Sequence, residues 1–264
     1  MPHDHTDPLP RRWRWLARAF RWYAVRYVRK HFSAVRLSLS GRSDPNIGGP
    51  LIIVMNHPSW WDPMIGIVLA RLLHGREHFA AMEAGAMRRY PMFRRLGFVP
   101  MGTSGHRGAK EFLAAGAAVL SHPKHVFWVT PQGRFVDVRE RPVRLKPGIG
   151  FLAARSQGAV IIPIAIEYAF WNESAPEALL RIGEPLRIEE HPERDGRMWT
   201  VEIQAAMTRN SDVLAAEVLS RDLNRFRVLI RGRTGVGGIY DCWRRLKAWL
   251  RGRRFDPSHG EEAS

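Results

Sequence analysis

The chain has 264 residues, of which 45% are apolar, and this length suits one α/β domain with short additional segments. Its single cysteine, Cys242, excludes an intrachain disulfide and fits a reducing compartment. The formal net charge of +16 indicates an anionic partner, for which a membrane surface, nucleic acid and a phosphorylated substrate are the candidates.

Residues 10–32 predict a basic amphipathic helix. Its apolar stripe steps by three and four residues and comprises Trp13, Ala17, Phe20, Ala24, Tyr27 and His31. Beside that stripe lie an arginine stripe and three more aromatic side chains, Trp15, Trp22 and Tyr23. Such a helix is typical of an element that lies in the membrane interface. Docking on its own domain is the main alternative, and nucleic-acid binding is a weaker one.

From residue 33 onward, short apolar segments alternate with helical ones. Strands are predicted over residues 33–39, 51–55, 78–82, 98–101, 125–129 and 159–166, and helices over residues 64–73, 109–120 and 149–156. Three of these strands are mostly apolar, those over residues 51–55, 125–129 and 159–166, as in strands buried on both faces of a parallel sheet. The alternation predicts an α/β fold with a mostly parallel mixed sheet flanked by helices.

Pro163 interrupts the last of these strands. Because proline lacks a backbone donor, it predicts a sheet edge or a bulge at this position, and a part in shaping a pocket wall comes second. Further on, we expect a strand over residues 180–188 and helical structure over residues 198–228, broken at Asn210-Ser211-Asp212.

The C-terminal part predicts a second basic amphipathic segment, which follows a glycine-rich joint at residues 235–238. Its apolar stripe comprises Ile239, Trp243, Leu246 and Leu250. Amphipathic helical segments at both termini favour the membrane interpretation. The predicted organisation is a membrane-associating helix and lead-in over residues 1–44, an α/β domain over residues 45–232 and a basic tail over residues 233–264.

Asn56 and His57 stand where the strand over residues 51–55 ends, which is the edge at which open α/β sheets place their active sites. Asp62 follows five positions later, before an apolar helical segment, and Pro58 and Pro63 exclude one continuous helix through both residues. A tight turn could bring the Asp62 carboxylate onto one imidazole nitrogen, so that the other nitrogen can take a proton from a hydroxyl. The alternative is that Asp62 only caps its helix and His57 only ends a strand.

Four segments at predicted strand ends form a set: Asn56 to Asp62, which carries a His-x4-Asp pair, Gly97-Phe98-Val99 with the glycine-rich loop 102–108, Pro131-Gln132-Gly133-Arg134, and Ile162-Pro163-Ile164-Ala165. In this order and spacing the chain resembles the glycerolipid acyltransferase family, which includes 1-acylglycerol-3-phosphate acyltransferase. The resemblance covers roughly residues 45–190. The run from Lys146-Pro147-Gly148 to Ile166 makes it specific, because it repeats the family's run from the third motif to the fourth.

The resemblance implies transfer of an acyl group from coenzyme A or acyl carrier protein to a lipid hydroxyl, with no cofactor besides that co-substrate. His57 would be the general base and Asp62 its orienting partner. The implied partners are a lipid acceptor, the thioester donor and the cytoplasmic face of a membrane. The protein would bind that membrane peripherally. Neither a transmembrane span nor a signal peptide is predicted, because no apolar run approaches roughly 18 residues and residues 1–9 are polar.

Two departures from the family concern the acceptor. The second motif's usual arginine is replaced by Thr103, and the usual Glu-Gly-Thr-Arg of the third motif reads Gln132-Gly133-Arg134-Phe135. Those two arginines are the family's expected phosphate partners, since the guanidinium fork binds phosphate oxygens in pairs. One hypothesis is a lipid hydroxyl acceptor without a phosphomonoester. The rival hypothesis is that Arg107 and Arg134 take over phosphate binding.

Further substrate-binding candidates are Asn56, Thr103, Gln132, Gly133 and Pro163, and Trp60 and Trp61 predict either acyl-chain contacts or simple core. Gln132 and Gly133 could instead only form a tight turn. Two other functions remain open: a non-catalytic membrane- or nucleic-acid-binding relative, and a thioester or ester hydrolase. No metal site is predicted, because no H-E-x-x-H or Cys/His ligand spacing occurs.

Overall fold

The computed structural model describes residues 9–42, 44–102 and 105–233. In this part of the chain nine strands form one sheet: β1 (Ala34–Ser38), β2 (Leu51–Met55), β3 (Glu77–Glu83), β4 (Phe98–Met101), β5 (His125–Val129), β6 (Val160–Ala169), β7 (Glu177–Ile182), β8 (Leu186–Arg187) and β9 (Phe226–Arg231). The α-helices are α1 (Arg14–His31), α2 (Asp62–Leu69), α3 (Ala84–Arg89), α4 (Phe93–Leu96), α5 (Gly105–Leu120), α6 (Gly148–Ala153) and α7 (Gly196–Ser220).

The strands lie in the order β4-β3-β5-β2-β6-β7-β1-β9, and β8 pairs with β6 beside that path. Five pairs are parallel: β3 with β4 and β5, β2 with β5 and β6, and β1 with β7. Three pairs are antiparallel: β6 with β7 and β8, and β1 with β9. The sheet is therefore mixed and mostly parallel, and the predicted α/β fold is confirmed.

Helices cover both faces of the sheet, which explains why its central strand is apolar throughout. Leu51, Ile53 and Met55 of β2 pack against α1 and α2, while Ile52 and Val54 pack against α5, α6 and α7 on the opposite face. All five residues of β2 are buried. Burying a side chain of this size stabilises the fold by about 1.5–3 kcal/mol, so this strand is an anchor for the loop that follows it.

The N-terminal helix is present as predicted and docks on the sheet with one face. Ala24 and Val28 are buried in the core, whereas Trp15, Trp22 and Tyr23 are exposed. β1, which follows α1, lies inside the sheet between β7 and β9. The predicted boundary between residues 44 and 45 therefore follows a strand that is already paired within the sheet.

The C-terminal half differs from the prediction in three places. The strand expected over residues 180–188 is two strands, β7 and β8. The helix α7 runs through residues 210–212 without a break. It is held there by the buried side chain of Asn210, whose Nδ2 donates to the carbonyls of Pro163 and Arg181 at 3.2 and 3.1 Å. The helix ends at Arg221, which is left-handed with φ of 52°, and residues 226–231 form the edge strand β9.

Pro163 lies within β6, an interior strand, but the strand pairing on one side is interrupted there, so the predicted local edge is present. β6 pairs with β2 on one side throughout this region, with Pro163 opposite Val54. On its other side the partner changes: β7 ends at Ile182, opposite Ile164, and β8 begins at Leu186, opposite Ile161. Pro163 stands in that gap, and its carbonyl accepts from Gly183 N at 2.8 Å. Because no partner strand offers an acceptor at this position, the N–H that proline lacks costs no hydrogen bond of the sheet.

Two predictions about the ends of the chain have different outcomes. Among the described residues, no helix is both long enough and apolar enough to cross a membrane. The basic amphipathic tail predicted over residues 233–264, with Cys242, lies outside the described residues apart from Arg233.

Gly150 controls how closely α6 approaches α7, and its replacement should be costly. A Cβ at Gly150 would overlap Gly196 O and Thr200 Oγ1 of α7. We expect Gly150→Ala to lower the free energy of unfolding by about 3 kcal/mol, since the overlap outweighs the roughly 1 kcal/mol that alanine gains in a helix. Urea unfolding would measure this. Gly48→Ala is the control, because a Cβ there meets nothing within 4 Å; equal effects of the two variants would contradict the packing argument.

Candidate active site

His57 and Asp62 face each other across the turn between β2 and α2. His57 Nδ1 lies 2.6 Å from Asp62 Oδ2. Because a carboxylate only accepts hydrogen bonds, Nδ1 is the protonated nitrogen, and Nε2 keeps its lone pair. The turn forms because α2 begins at Asp62 with Pro63 in its first turn, so the chain cannot continue from β2 into one long helix. The contact that the five-residue spacing predicted is therefore present.

Asp62 is 1% exposed, and other groups hold its carboxylate in place. Oδ2 also accepts from the backbone N–H of Ser59 at 3.0 Å. Oδ1 accepts from the hydroxyl of Tyr168, on β6, at 2.7 Å. A buried carboxylate with these partners is fixed in orientation, which is the arrangement that keeps one imidazole tautomer in place.

Tyr168 is a site residue that the sequence analysis missed. Burial and the neighbouring Asp62 carboxylate raise the pKa of Tyr168 well above its usual value of 10, so its hydroxyl stays protonated and keeps donating. The sequence holds a weak signal, because Tyr168 follows the fourth motif on the same strand. Its contact with Asp62 spans 106 positions, and no local pattern reports a contact of that separation.

Tyr168→Phe should lower kcat about tenfold and leave KM unchanged, because it loosens Asp62 without touching the substrate. Steady-state kinetics would measure kcat and KM separately. The control is Tyr90→Phe at an exposed tyrosine; an unchanged kcat in Tyr168→Phe would contradict a positioning role.

A cavity of about 510 Å³ opens beside His57 and Asp62. One wall is α2, through Pro63, Gly66 and Ile67, together with Ala70 directly after the helix. The opposite wall comes from β3, β5 and β4 and includes His78, Ala80, Trp128 and Phe98. The cavity thus starts at the His57–Asp62 pair and continues along the sheet between mostly apolar walls.

A sequence profile of the acyltransferase family matches residues 27–167, more than half of the 264-residue chain. The chain belongs to the acyltransferase family. The match contains the His-x4-Asp turn and all three later motifs, and it ends inside β6. A search of curated proteins found no match. The family resemblance inferred from the motifs is confirmed, and acyl transfer is the chemistry that the site has to explain.

Two of the predicted substrate-binding residues of this acyltransferase border the cavity, Gly133 and Arg134. Lys146, which the prediction did not include among the site residues, borders it too. A Cβ added at Gly133 would lie 2.5 Å from Lys146 Nζ, so the ammonium group rests over this glycine. Phe135 stands where relatives usually carry arginine, and its ring centroid lies 4.6 Å from that of His57.

Three other predicted residues hold the loops of the acyltransferase site together and do not border this cavity. Asn56 makes two hydrogen bonds with the backbone of Ile166. Its Oδ1 accepts from the Ile166 N–H at 2.8 Å, and its Nδ2 donates to the Ile166 carbonyl at 2.9 Å. Gln132 Oε1 accepts from the backbone N–H of His57 at 2.6 Å. An amide oxygen serves here as well as a carboxylate oxygen would, which explains how glutamine is tolerated at this motif position. Pro163 contacts α7 through the Asn210 bond.

The second-motif residues give the acyltransferase site little phosphate-binding capacity. Arg107 lies in the first turns of α5, which begins at Gly105 and not at Ala109 as predicted. Its side chain is 93% exposed, pairs with Glu111 at 3.1 Å and does not border the cavity. Thr103 lies outside the described residues. Across the described residues, no group of three or more His, Cys, Asp or Glu side chains is placed to hold a metal ion.

Proposed function

We propose that this acyltransferase moves a fatty acyl group from a coenzyme A or acyl carrier protein thioester to the hydroxyl of a lipid acceptor. The observation that carries the proposal is the bond between His57 Nδ1 and a buried, doubly supported Asp62, at the end of a long apolar cavity. This arrangement leaves Nε2 as a base where an alcohol and an acyl chain can meet.

In the proposed reaction His57 Nε2 takes the proton of the acceptor hydroxyl as its oxygen attacks the thioester carbonyl carbon. Asp62 stabilises the imidazolium that forms. The tetrahedral intermediate then collapses, the carbon–sulfur bond breaks, and the departing thiolate takes the proton back from His57. The products are an ester and a free thiol. No covalent acyl-enzyme is needed, since the general base activates the acceptor directly.

Arg134 and Lys146 fit the phosphates of the thioester donor. Both border the cavity on the side of the β5 loop, beside His57. The Arg134 side chain is 67% exposed, so its guanidinium is accessible to an anion although the Glu140 carboxylate lies 3.6 Å away. Two cations at the mouth of an apolar cavity suit a ligand whose chain enters while its charged part stays outside.

The acceptor we favour is a lipid hydroxyl without a phosphomonoester, such as a lysolipid of another type, a glycolipid or an amino-acid lipid. Of the two arginines in the rival hypothesis, Arg107 does not border the cavity, so a pair of displaced arginines is not available there. Arg134 and Lys146 can bind one set of phosphates, and the thioester donor already supplies that set.

Product analysis with purified protein tests the proposal. The acceptors would be lysophosphatidic acid and non-phosphorylated hydroxyl lipids, each supplied with acyl-CoA or with an acyl carrier protein thioester. The amount of ester product would be compared with the amount of fatty acid released. We expect ester products, with the non-phosphorylated lipids used better. Efficient use of lysophosphatidic acid would refute the acceptor hypothesis, and fatty acid without any ester would indicate a hydrolase.

A single aromatic surface supports a peripheral membrane location. The rings of Tyr23, Tyr27, Trp61 and Trp60 follow one another at centroid distances of 5.6, 5.4 and 5.5 Å. This row connects the exposed side of α1 with Trp60, which lies between His57 and Asp62 and is 62% exposed. Four arginines of α1 are exposed as well: Arg14, Arg18, Arg26 and Arg29. Tryptophan with basic side chains is the composition of surfaces that lie in a lipid headgroup layer.

Replacing Tyr23 and Trp60 together by alanine should weaken binding to anionic vesicles about tenfold, because two exposed aromatic side chains would no longer enter the interface. Vesicle co-sedimentation at fixed salt would measure this. Leu219→Ala is the control, because Leu219 is 85% exposed on α7, against the opposite face of the sheet. Unchanged binding in the double variant would refute this surface as the membrane contact.

A further inference from the structure

The inner end of the cavity carries a polar side chain that the proposed reaction does not use. His78, on β3, borders the cavity and accepts a hydrogen bond at Nδ1 from Trp128 Nε1 at 3.1 Å. The indole nitrogen can only donate, so Nδ1 is the acceptor and the proton of a neutral His78 is on Nε2. No described residue accepts a hydrogen bond from that Nε2–H.

His78 remains neutral across the physiological range, so this donor is permanent. Burial and the positive charges of Arg12, Arg21 and Arg76 lower the pKa of His78 to about 3. A second donor lies close by. Nε of Arg12 is buried without a partner, next to Gly97, which also borders the cavity.

The sheet register places His78 far from the His57–Asp62 pair. Leu51, Val126 and His78 lie in one row across β2, β5 and β3. Met55, the last residue of β2 before the His57 loop, is four residues further along, which is about 13 Å at 3.3 Å per residue. The cavity wall between these two levels is apolar and includes Gly66, Ile67 and Trp128.

We propose that the His78–Trp128 pair is a binding site for an oxygen atom carried by the far part of a substrate's hydrocarbon chain, so that the cavity prefers hydroxylated chains. This inference rests on the proposed function, because it assigns the cavity to a substrate chain. A chain that is apolar to its end would fill the same space and leave the Nε2–H unpaired, whereas a hydroxyl oxygen would accept from it.

Binding of free fatty acids tests the site without requiring turnover. Decanoate, laurate and myristate would each be compared with their ω-hydroxy forms, by displacement of a fluorescent fatty acid from the purified protein. We expect the ω-hydroxy form to bind about tenfold more tightly at the chain length that reaches His78. The corresponding acyl-CoA thioesters should show the same preference in kcat/KM. Equal or weaker binding of the hydroxylated form at every length would overturn the inference.

Variants then assign the preference to the side chain. His78→Phe should abolish or reverse it, while His78→Gln, which retains an N–H donor, should keep part of it. His125→Phe, at a histidine on the neighbouring strand that does not border the cavity, should leave it unchanged. A preference that survives in His78→Phe would refute the site. Preferential binding without any acyl transfer would refute the proposed function and leave the subsite standing.

Discussion

His57→Ala is expected to lower kcat for acyl transfer about 10³-fold, because in the proposed reaction this side chain takes the acceptor's proton. His57 is half-buried in the site, its Nδ1 is held by Asp62 at 2.6 Å, and its Nε2 is the free base beside the cavity. Binding of donor and acceptor should change little, since the walls and the cations at the mouth remain. The measurement is ester product formed per enzyme in single-turnover experiments, with thioester binding measured separately.

The control for this variant is His74→Ala, at an exposed histidine in the turn after α2. It should retain full activity. If His57→Ala retains most of the activity, the general-base role is wrong. If wild-type protein binds lipid and thioester but forms no ester, and His57→Ala behaves identically, the chain is instead a non-catalytic member of the acyltransferase family.

We expect Asp62→Asn to lower kcat by roughly 10²- to 10³-fold, although the side chain keeps its size. An amide nitrogen turned toward His57 would donate to Nδ1 and shift the imidazole proton to Nε2, where it blocks the base. The amide also cannot stabilise the imidazolium as a carboxylate does. Steady-state kinetics would show the loss in kcat, and the thermal unfolding midpoint would show whether the buried position tolerates the amide.

Asp212→Asn is the matched control for Asp62→Asn, because Asp212 is an exposed aspartate paired with Arg141 away from the cavity. It should leave kcat unchanged. A small effect of Asp62→Asn together with an intact fold would show that His57 does not depend on this carboxylate. The double variant Asp62→Asn with Tyr168→Phe should be little worse than Asp62→Asn alone, since Tyr168 acts through Asp62.

The short-range part of the site could be predicted from the sequence. The five apolar residues of β2, the two prolines and the His-x4-Asp spacing act over less than fifteen positions. They determine a buried strand, a break and a turn in whatever fold contains them. For the same reason the predicted helix at residues 10–32 and the apolar strands β5 and β6 are present.

Two errors show where local patterns fail. Residues 226–228 were predicted to be the end of a helix, but they begin β9, which pairs antiparallel with β1. Asn210 predicted a helix break, yet α7 continues there because the side chain is bonded to two carbonyls on the sheet. In both cases a partner elsewhere in the chain decided the outcome.

The sequence by itself determined the α/β class, the family and the pair His57–Asp62, because these depend on neighbours along the chain. Only the tertiary structure placed Tyr168 on Asp62 from 106 positions away, set Pro163 into a gap between two partner strands and aimed His78 into the cavity. These features depend on which strands become neighbours and in what register. That choice is made by packing of the whole sheet, which no short segment of the chain specifies.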